Sequence, residues 1–292
     1  MTAPARQIAT AQMLTGGRLH LQDGPIDLLI KAEGAAEEVR EAYAQAIAAF
    51  DGLLAELACE LPELRRALGK KPHRLRHPVA QAMEQACRPH AALWVTPMAA
   101  VAGAVADHIL TAATAGRRLS RAWVNNGGDI ALHLTPGTDL DIGLVTDLAD
   151  CGPTGHLTLT HDLPARGLAT SGRQGRSLSR GLAEAVTVLA GTAAEADVAA
   201  TLIANAVDLE GHPGVLRRPA CEIDRDSDLQ TLPVVTAVGP LSAEEIETAL
   251  AAGAKLAAEM QAAGLIQGAL LSLRGRARAV PDRHRETKLS WT

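Results

Sequence analysis

The chain has 292 residues, a formal net charge of −5 and 47% hydrophobic residues, values typical of a globular protein that give no electrostatic support for a nucleic-acid partner. Aromatic residues make up only 2% of the chain, which argues against base stacking on single-stranded nucleic acid. The four cysteines form no CxxC pair, and no apolar stretch reaches the roughly 20 residues of a membrane span without a charge or a break. We therefore expect a cytoplasmic protein with reduced thiols and no membrane or nucleic-acid partner.

The N-terminal third predicts a hairpin followed by helices. Residues 18–31 alternate in hydrophobicity around Asp23-Gly24-Pro25, a pattern typical of two strands and a turn. Helical spacing then marks residues 35–58 and 79–87, with a connecting segment and one short helix between them. Thr96 and Pro97 predict the N-cap and first residue of a helix with a small-residue body that ends near Thr111.

The rest of the chain predicts strands in series, then helices. Short apolar runs separated by polar turns indicate an antiparallel meander with strands at about 121–125, 130–135, 139–146, 155–160, 165–170 and 184–190. A capping box at Thr192 predicts a helix that ends near residue 207, and residues 242–245 open another helix that ends near residue 263. Residues 211–230 look like a loop, and strands are expected at 232–238 and 265–273.

These elements predict an α+β fold in which long helices pack on antiparallel strands. We expect a single domain over residues 1–273. The tail over residues 274–292 contains five arginines and little apolar matter, so it is expected to fray. Oligomeric state is not readable from the pattern, and a homo-oligomer stays open.

A polar turn between two apolar runs is the most informative stretch of the chain. Two adjacent glycines can adopt backbone angles that other residues avoid, and they let a ligand approach the main chain. Amide and carboxylate side chains surround them, in the order Asn125, Asn126, Gly127, Gly128 and Asp129. A plain hairpin connection is the alternative interpretation, because Asn-Gly is a strong turn signal.

Asp197 and Thr201 lie four residues apart on the helix that follows the capping box, so their side chains share a face. A carboxylate near a helix N-terminus, a hydroxyl and a nearby carbonyl are oxygen ligands of the kind that Mg²⁺ binds. The alternative is a structural Asp in the first turn and a Thr bonded to its own backbone.

A third feature is a predicted strand that ends in Thr170, Ser171 and Gly172 and is followed by Arg173 and Arg176. Hydroxyls, backbone amides and a forked guanidinium could together hold a phosphate. A solvated turn would explain the same residues.

Two further groups are weaker candidates. His73, His77, Cys87 and His90 contain metal-ligand types, but their spacing fits no standard zinc pattern. Asp107 and His108 could be acid–base groups, yet adjacent helix residues face different directions, so a solvated or capping role is expected for one of them.

The three main motifs occur in an order that resembles the ApbE-like superfamily, whose best-known members are FAD:protein FMN transferases. The resemblance runs from about residue 121 to 208. Within the superfamily, the chain is most similar to the UPF0280 branch. Three stretches carry that closer likeness: 18–25, 96–103, and 177–179 with 184–189.

The resemblance implies an ApbE-like, T-fold-like architecture and a site for a phosphate-bearing small molecule, with FAD or FMN and Mg²⁺ as the implied cofactors. Asp197, Thr201 and the carbonyl of Ala196 match residues that hold magnesium in the transferases. The segments matching Asn125–Asp129 and Thr170–Gly172 line the flavin dinucleotide site there. Thr96 and Met98 are expected to belong to the same pocket.

One departure from the transferase pattern concerns the base. Transferases carry a segment like His-Ile-Ile-Asp-Pro-Arg-Thr-Gly before the strand that leads to the metal helix, whereas this chain has residues 175–184 without that histidine or Asp-Pro pair. Glu184 is the substitute carboxylate that we consider as a catalytic group. Three hypotheses follow: FMN-transferase-like chemistry, a different small-molecule enzyme on the same scaffold, or a non-catalytic binding protein.

Overall fold

A computed structural model describes residues 9–144, 155–175, 177–281 and 290–291. Its strands, in chain order, are β1 Thr10–Leu14, β2 Arg18–Asp23, β3 Ile26–Gly34, β4 Leu119–Asn126, β5 Asp129–Leu134, β6 Asp139–Leu144, β7 Gly155–Thr160, β8 Gly167–Ser171, β9 Ala185–Ala190, β10 Val215–Pro219, β11 Pro233–Val238, β12 Gly268–Leu273, β13 Arg276–Val280 and β14 Ser290–Trp291. Its α-helices are α1 Ala36–Phe50, α2 Leu53–Cys59, α3 Leu61–Leu64, α4 Pro78–Cys87, α5 Val101–Thr114, α6 Ala193–Ala206, α7 Ala220–Ile223 and α8 Ala243–Ala262.

One antiparallel sheet of nine strands organises the fold, in the order β1-β2-β3-β4-β5-β8-β9-β12-β13. Four helices lie side by side along one face: α1 against β3, α5 against β4 and β5, α6 against β8 and β9, and α8 against β12 and β13. Their small residues and the inward-facing strand residues form the main apolar core. The α+β prediction is therefore confirmed.

The small sheet of β6, β7 and β14 forms a second apolar cluster with strands of the main sheet. Buried leucines and an isoleucine from both sheets meet there, among them Leu132, Ile142, Leu159 and Leu168. The predicted meander is therefore wrong in one respect. The strands pair antiparallel, but β5 pairs with β8, because β6 and β7 use their apolar residues to cover the sheet instead of extending it.

Several local predictions match the structure, including the hairpin at 18–31, the capping box at Thr192 and the helix that begins after Ser242. The helix predicted over 35–58 is divided into α1 and α2, because Gly52 adopts a left-handed backbone with φ of 78°. Residues 211–230 are not all loop, since β10 and α7 form there and β10 pairs with β11. The tail also differs: residues 276–280 form β13, an edge strand paired with β12. Its later part lies mostly outside the described residues.

Among the described residues, one helical stretch, Ala36–Cys59, is long and apolar enough to cross a membrane by length and composition. It is interrupted at Gly52, and its buried side chains, such as Ala46 and Phe50, belong to the main core. We therefore assign it as a core helix pair of this fold.

Helices α5 and α6 cross in close contact near their N-terminal ends. Gly103 lies in the first turn of α5, and a Cβ there would come within 2.2 Å of the Ala193 carbonyl oxygen and 2.6 Å of the Ala194 nitrogen. Only a residue without a side chain lets the start of α5 approach the start of α6 this closely.

Gly103→Ala is therefore expected to force the two helices apart and to lower the free energy of unfolding by about 1–3 kcal/mol, the usual cost of overpacking. Chemical denaturation would measure the loss. Gly69→Ala is the matched control, because a Cβ at Gly69 meets no atom within 4 Å. Equal stabilities of the two variants would show that the crossing is not tight.

Candidate functional site

Two aspartates exchange hydrogen bonds across the crossing of α5 and α6. Asp107 of α5 accepts from the backbone N–H groups of Ala193 and Ala194 at 3.0 and 2.9 Å. Asp197 of α6 accepts from the N–H of Gly103 at 3.1 Å. Each helix thus provides a carboxylate that satisfies first-turn donors of the other, where the helix dipole favours negative charge. The capping role considered for Asp107 is present.

Both carboxylates sit where ionisation is costly. Burial raises the pKa of Asp197 to about 7, against the opposing effect of the N–H groups of Gly103 and Ala102, and the nearby charge of Asp107 raises it further. Burial likewise raises the pKa of Asp107 to about 6. The helix N-termini therefore only partly compensate the loss of water around these two groups.

The glycine-rich hairpin reaches the same place. Gly127 and Gly128 adopt positive φ angles of 66° and 115°, as the turn signal predicts. Asn125 Oδ1 accepts from the Gly128 N–H at 2.8 Å and closes the turn. Asn126 is buried and donates from Nδ2 to the carbonyl of Ala102 at 3.1 Å, one residue before the Gly103 N–H that binds Asp197. The hairpin therefore lies at the start of α5.

The end of β8 links the hairpin to α6. Asp129 is buried, and its Oδ1 accepts from the Thr170 N–H at 3.2 Å. The Thr201 hydroxyl donates to the Ser171 hydroxyl at 3.4 Å. Hydrogen bonds thus join the β4–β5 hairpin, the end of β8 and helix α6 around the start of α5 and the middle of α6. We call the group Asn126, Asp129, Ser171, Asp197 and Thr201 the α6 site.

The other predicted ligand residues occupy varied positions. Thr170 is exposed, and its hydroxyl lies 2.9 Å from that of Thr187. Gly172 allows a close backbone approach, since a Cβ there would lie 2.3 Å from the Glu184 carbonyl oxygen. Ala196 is fully buried within α6, where a carbonyl normally accepts from the N–H four residues on. Arg176 lies outside the described residues.

The segment before α5 differs from its prediction. Thr96 makes no side-chain cap, and residues Pro97–Ala100 form a 3-10 turn before α5. The Thr96 hydroxyl instead donates to Asp228 Oδ2 at 2.5 Å. Met98 is half-buried and packs against the core. Asp228 was missed from the sequence, because 132 residues separate it from Thr96 and no local pattern connects them.

The Glu184 carboxylate binds a backbone group of a neighbouring turn. Its carboxylate Oε2 accepts from the Arg274 N–H at 2.8 Å, in the turn between β12 and β13. In the main sheet, β9 and β8 separate that turn from β5, which carries Asp129. Its assignment as a catalytic group stays a prediction, but its contacts are those of a residue that fixes a turn.

The histidine group considered for zinc is dispersed. His73 bonds through its ring nitrogens to Glu84 and to the carbonyl of Arg66, while His77 contacts Glu56. In the described part of the chain, no three His, Cys, Asp or Glu side chains are grouped as they would be around a metal ion. A cation at the α6 site would therefore need hydroxyl ligands beside its carboxylate.

A shallow depression of about 450 Å³ lies elsewhere on the surface. It is lined by Arg274, Ile246 and the loop 238–241 before α8. The Arg274 side chain bridges this loop by donating to the carbonyl of Val238 at 2.7 Å. None of the predicted ligand residues lines it, so we do not place the functional site there.

A family model described as "AbpE bacteria" matches residues 10–279. The chain belongs to this family. A UPF0280 protein of Methanothermobacter thermautotrophicus is 36% identical over 118 residues, which cover 39% of this chain and 43% of that relative's length. The predicted ApbE-like, UPF0280-type membership is confirmed.

The crystal structure of the ApbE protein from Thermotoga maritima aligns with 96% of this chain and all of its own, at 14% identity and a TM-score of 0.38. So low a score relates the two chains only loosely. The local geometry of the α6 site therefore rests on this chain's own contacts.

The raised pKa of Asp197 predicts how stability depends on pH. The carboxyl has a pKa of about 7 in the folded protein against 3.8 for an unperturbed Asp, so its protonated form stabilises the fold at low pH. This contribution is present below about pH 4 and is lost as pH rises through about 7. Between pH 5 and 8, we expect the free energy of unfolding of the wild type to fall by up to about 3 kcal/mol from this group. The Asp197→Asn variant is neutral at position 197 at every pH and should not show this loss.

Urea unfolding at several pH values in EDTA would test this expectation. Asp107 titrates in both proteins, so the difference between them reports the Asp197 carboxyl together with its charge interaction with Asp107. Asp51→Asn on the exposed end of α1 is the control and should follow the wild type. Parallel pH profiles for wild type and Asp197→Asn would contradict the assigned environment.

Proposed function

We propose that this protein binds a phosphate-bearing small molecule together with Mg²⁺ at the α6 site and acts on its phosphoanhydride, in the manner of FMN-transferase-like chemistry on a flavin dinucleotide. The observation that carries the proposal is the position of Asp197. Its carboxylate accepts from the first turn of α5, one helical turn before Thr201, whose hydroxyl bonds to Ser171, and burial opposes its charge.

The residues of the α6 site fit a hard cation. Asp197, Thr201 and Ser171 offer oxygen atoms only, which is the donor set that Mg²⁺ prefers. Among the described residues, no Lys or Arg contributes to the environment of the Asp197 carboxyl, whose raised pKa reflects burial without a full counter-charge. A divalent cation would supply that charge. Bound there, Mg²⁺ would polarise a phosphate oxygen and stabilise the charge that develops on it.

The chain's own groups would position the ligand. Thr170 is exposed at the end of β8, and Gly127 is exposed at the tip of the hairpin, where its backbone would be accessible to phosphate oxygens. Asp129 holds the Thr170 backbone, and Thr201 holds Ser171, so the strand end is fixed before a ligand arrives. Such preorganisation lowers the entropy cost of binding.

A flavin ring requires an apolar or aromatic platform, and the chain is poor in aromatic residues. Tyr43 and Phe50 lie on the buried face of α1, so they are not available. Trp94 is 38% exposed and lies two residues before Thr96. We propose Trp94 as the side chain on which the ring system stacks.

A second candidate is a different small-molecule enzyme on the same scaffold. The observation that favours it is Glu184, whose carboxylate is already bound to the Arg274 backbone. Transfer to a protein hydroxyl needs a base, and residues 175–184 lack the transferase histidine and Asp-Pro pair. Phosphoanhydride cleavage by water, or another substrate, would not need the transferase base segment.

We also propose a cytoplasmic location. Cys59, Cys87 and Cys221 are free thiols in the described part of the chain. Burial raises the pKa of the Cys87 thiol, which makes it an inert apolar residue. Unpaired cysteines in a fold of this size are typical of a reducing compartment.

Asp197→Asn is expected to abolish Mg²⁺ binding, because the site loses the carboxylate assigned to the metal. Isothermal titration with MgCl₂ would measure binding, and incubation with FAD and Mg²⁺ followed by chromatography would detect FMN or AMP. Thr201→Val should weaken Mg²⁺ binding by about tenfold, since it removes one hydroxyl ligand while keeping the shape.

Asp51→Asn is the control for a change of surface charge and should behave as the wild type. Mg²⁺ binding with wild-type affinity by Asp197→Asn would remove the metal assignment. Mg²⁺ binding without any release of FMN or AMP would favour the second candidate.

Trp94→Ala is expected to weaken FAD binding by about tenfold and to leave ADP binding almost unchanged, because only FAD has the isoalloxazine ring that stacks on the indole. Fluorescence titration of FAD and calorimetry with ADP would separate the two. Leu93→Ala, at a neighbouring side chain that is 40% exposed, is the matched control. Equal losses for FAD and ADP would contradict the stacking role.

A further inference from the structure

A line of polar residues extends along α6 beyond the α6 site. Asp197, Thr201 and Asn205 recur every four residues and therefore lie on one face of the helix. All three are half-buried, whereas nine other residues of α6, including Val198, Leu202 and Ile203, are fully packed. Eight residues of helix span about 12 Å, so this polar face is longer than one phosphate group.

The far end of this face is occupied by a segment that the transferase comparison leaves unexplained. The side-chain oxygen of Asn205 accepts from the Arg180 N–H at 3.0 Å. The next residue, Gly181, is pressed against α6, since a Cβ there would lie 2.0 Å from the carbonyl oxygen of Ala204. The altered segment 175–184 therefore brings Arg180 to α6 two helical turns beyond Asp197.

A second arginine is attached to the same segment. Arg173 follows Ser171 and Gly172 at the end of β8, and its N–H donates to the carbonyl of Ala183 at 2.8 Å. Ser171 in turn accepts a hydrogen bond from Thr201 in the middle of the polar face. Arg173 and Arg180 thus flank one short segment between the end of β8 and α6.

The guanidinium groups of these two arginines lack partners among the described residues. The Nε atoms of Arg173 and Arg180 are buried and make no hydrogen bond there, and neither side chain forms an ion pair with a described residue. Two other arginines of the chain do form ion pairs: Arg217 with Asp208, and Arg218 with Glu222. A buried, unsatisfied donor on a charged group is costly, and such groups are normally paired.

We propose that Arg173 and Arg180 form an oxyanion subsite at the far end of the polar face of α6. The subsite would bind a phosphate group by charge-assisted hydrogen bonds to the guanidinium groups. This inference rests on the proposed function for the other end of the face, where Asp197 would hold Mg²⁺. The ligand is then an elongated molecule with two anionic groups about 12 Å apart, such as a dinucleotide with a phosphate beyond its diphosphate.

Inorganic pyrophosphate in EDTA is the probe for the subsite, because it needs no metal and is too short to span the polar face. Isothermal titration of the full chain should show saturable binding that Arg180→Gln and Arg173→Gln each weaken by about tenfold or more. Arg218→Gln, at an exposed and already paired arginine, is the matched control and should bind as the wild type. Asp197→Asn should also retain binding, because it alters only the metal end.

The outcomes separate the subsite from the proposed function. Loss of Mg²⁺ binding or of FAD turnover, with pyrophosphate binding still dependent on the arginines, would overturn the metal chemistry and leave the subsite standing. Wild-type affinity in both glutamine variants, or no saturable binding by the wild type, would overturn the subsite.

Thermal unfolding without ligand excludes a purely structural role. Both glutamine variants should melt within a few degrees of the wild type, because the groups removed have no partner in the described part of the protein. Pyrophosphate should raise the melting temperature of the wild type by more than it raises that of either glutamine variant. If Arg180→Gln does not fold, Arg180→Lys keeps the charge without the fork and should bind more weakly than the wild type. Large destabilisation with unchanged affinity would overturn the proposal.

Discussion

The exchange of carboxylates between α5 and α6 is the constraint on which the rest of the site depends. Asp107 binds the first N–H groups of α6, and Asp197 binds an N–H in the first turn of α5. The exchange is possible because Gly103 lets the two helix starts approach each other closely. Once the crossing is set, the carbonyl of Ala102 anchors Asn126 and the hydroxyl of Thr201 anchors Ser171. The β4–β5 hairpin and the end of β8 are thus both held in position by helices α5 and α6.

The same exchange leaves a structural carboxylate with a raised pKa. First-turn N–H groups stabilise an ionised Asp197, yet burial still raises its pKa to about 7. The compensation from backbone dipoles is therefore incomplete, which is the reason the proposed function assigns a cation to this carboxylate. Asp107 differs in that both of its carboxylate oxygens accept from α6. Both aspartates therefore hold the helix crossing, and Asp197, with the higher pKa, is the one that the proposed function assigns to a cation.

Features set by neighbouring residues were predictable from the sequence. The hairpin glycines and both capping boxes follow local rules, and the structure contains them. Features that depend on distant segments were not. Nothing local shows that β6 and β7 leave the main sheet, that Thr96 binds Asp228, or that Glu184 binds the Arg274 backbone. The three motifs could be recognised by their order, but their mutual contacts required the sheet order that brings β5 beside β8.

The altered segment 175–184 bears on what the site does. Loss of the transferase base would suggest a decayed enzyme if the segment carried nothing else. Instead, Gly181 and the Arg180 N–H are fitted to the last turns of α6, and Ala183 accepts from the Arg173 N–H. The buried Nε atoms of Arg173 and Arg180 have no partner among the described residues, which is costly for charged groups. In the proposed oxyanion subsite that cost is offset by the ligand, and the role of the altered segment is to bring Arg180 to the last turns of α6.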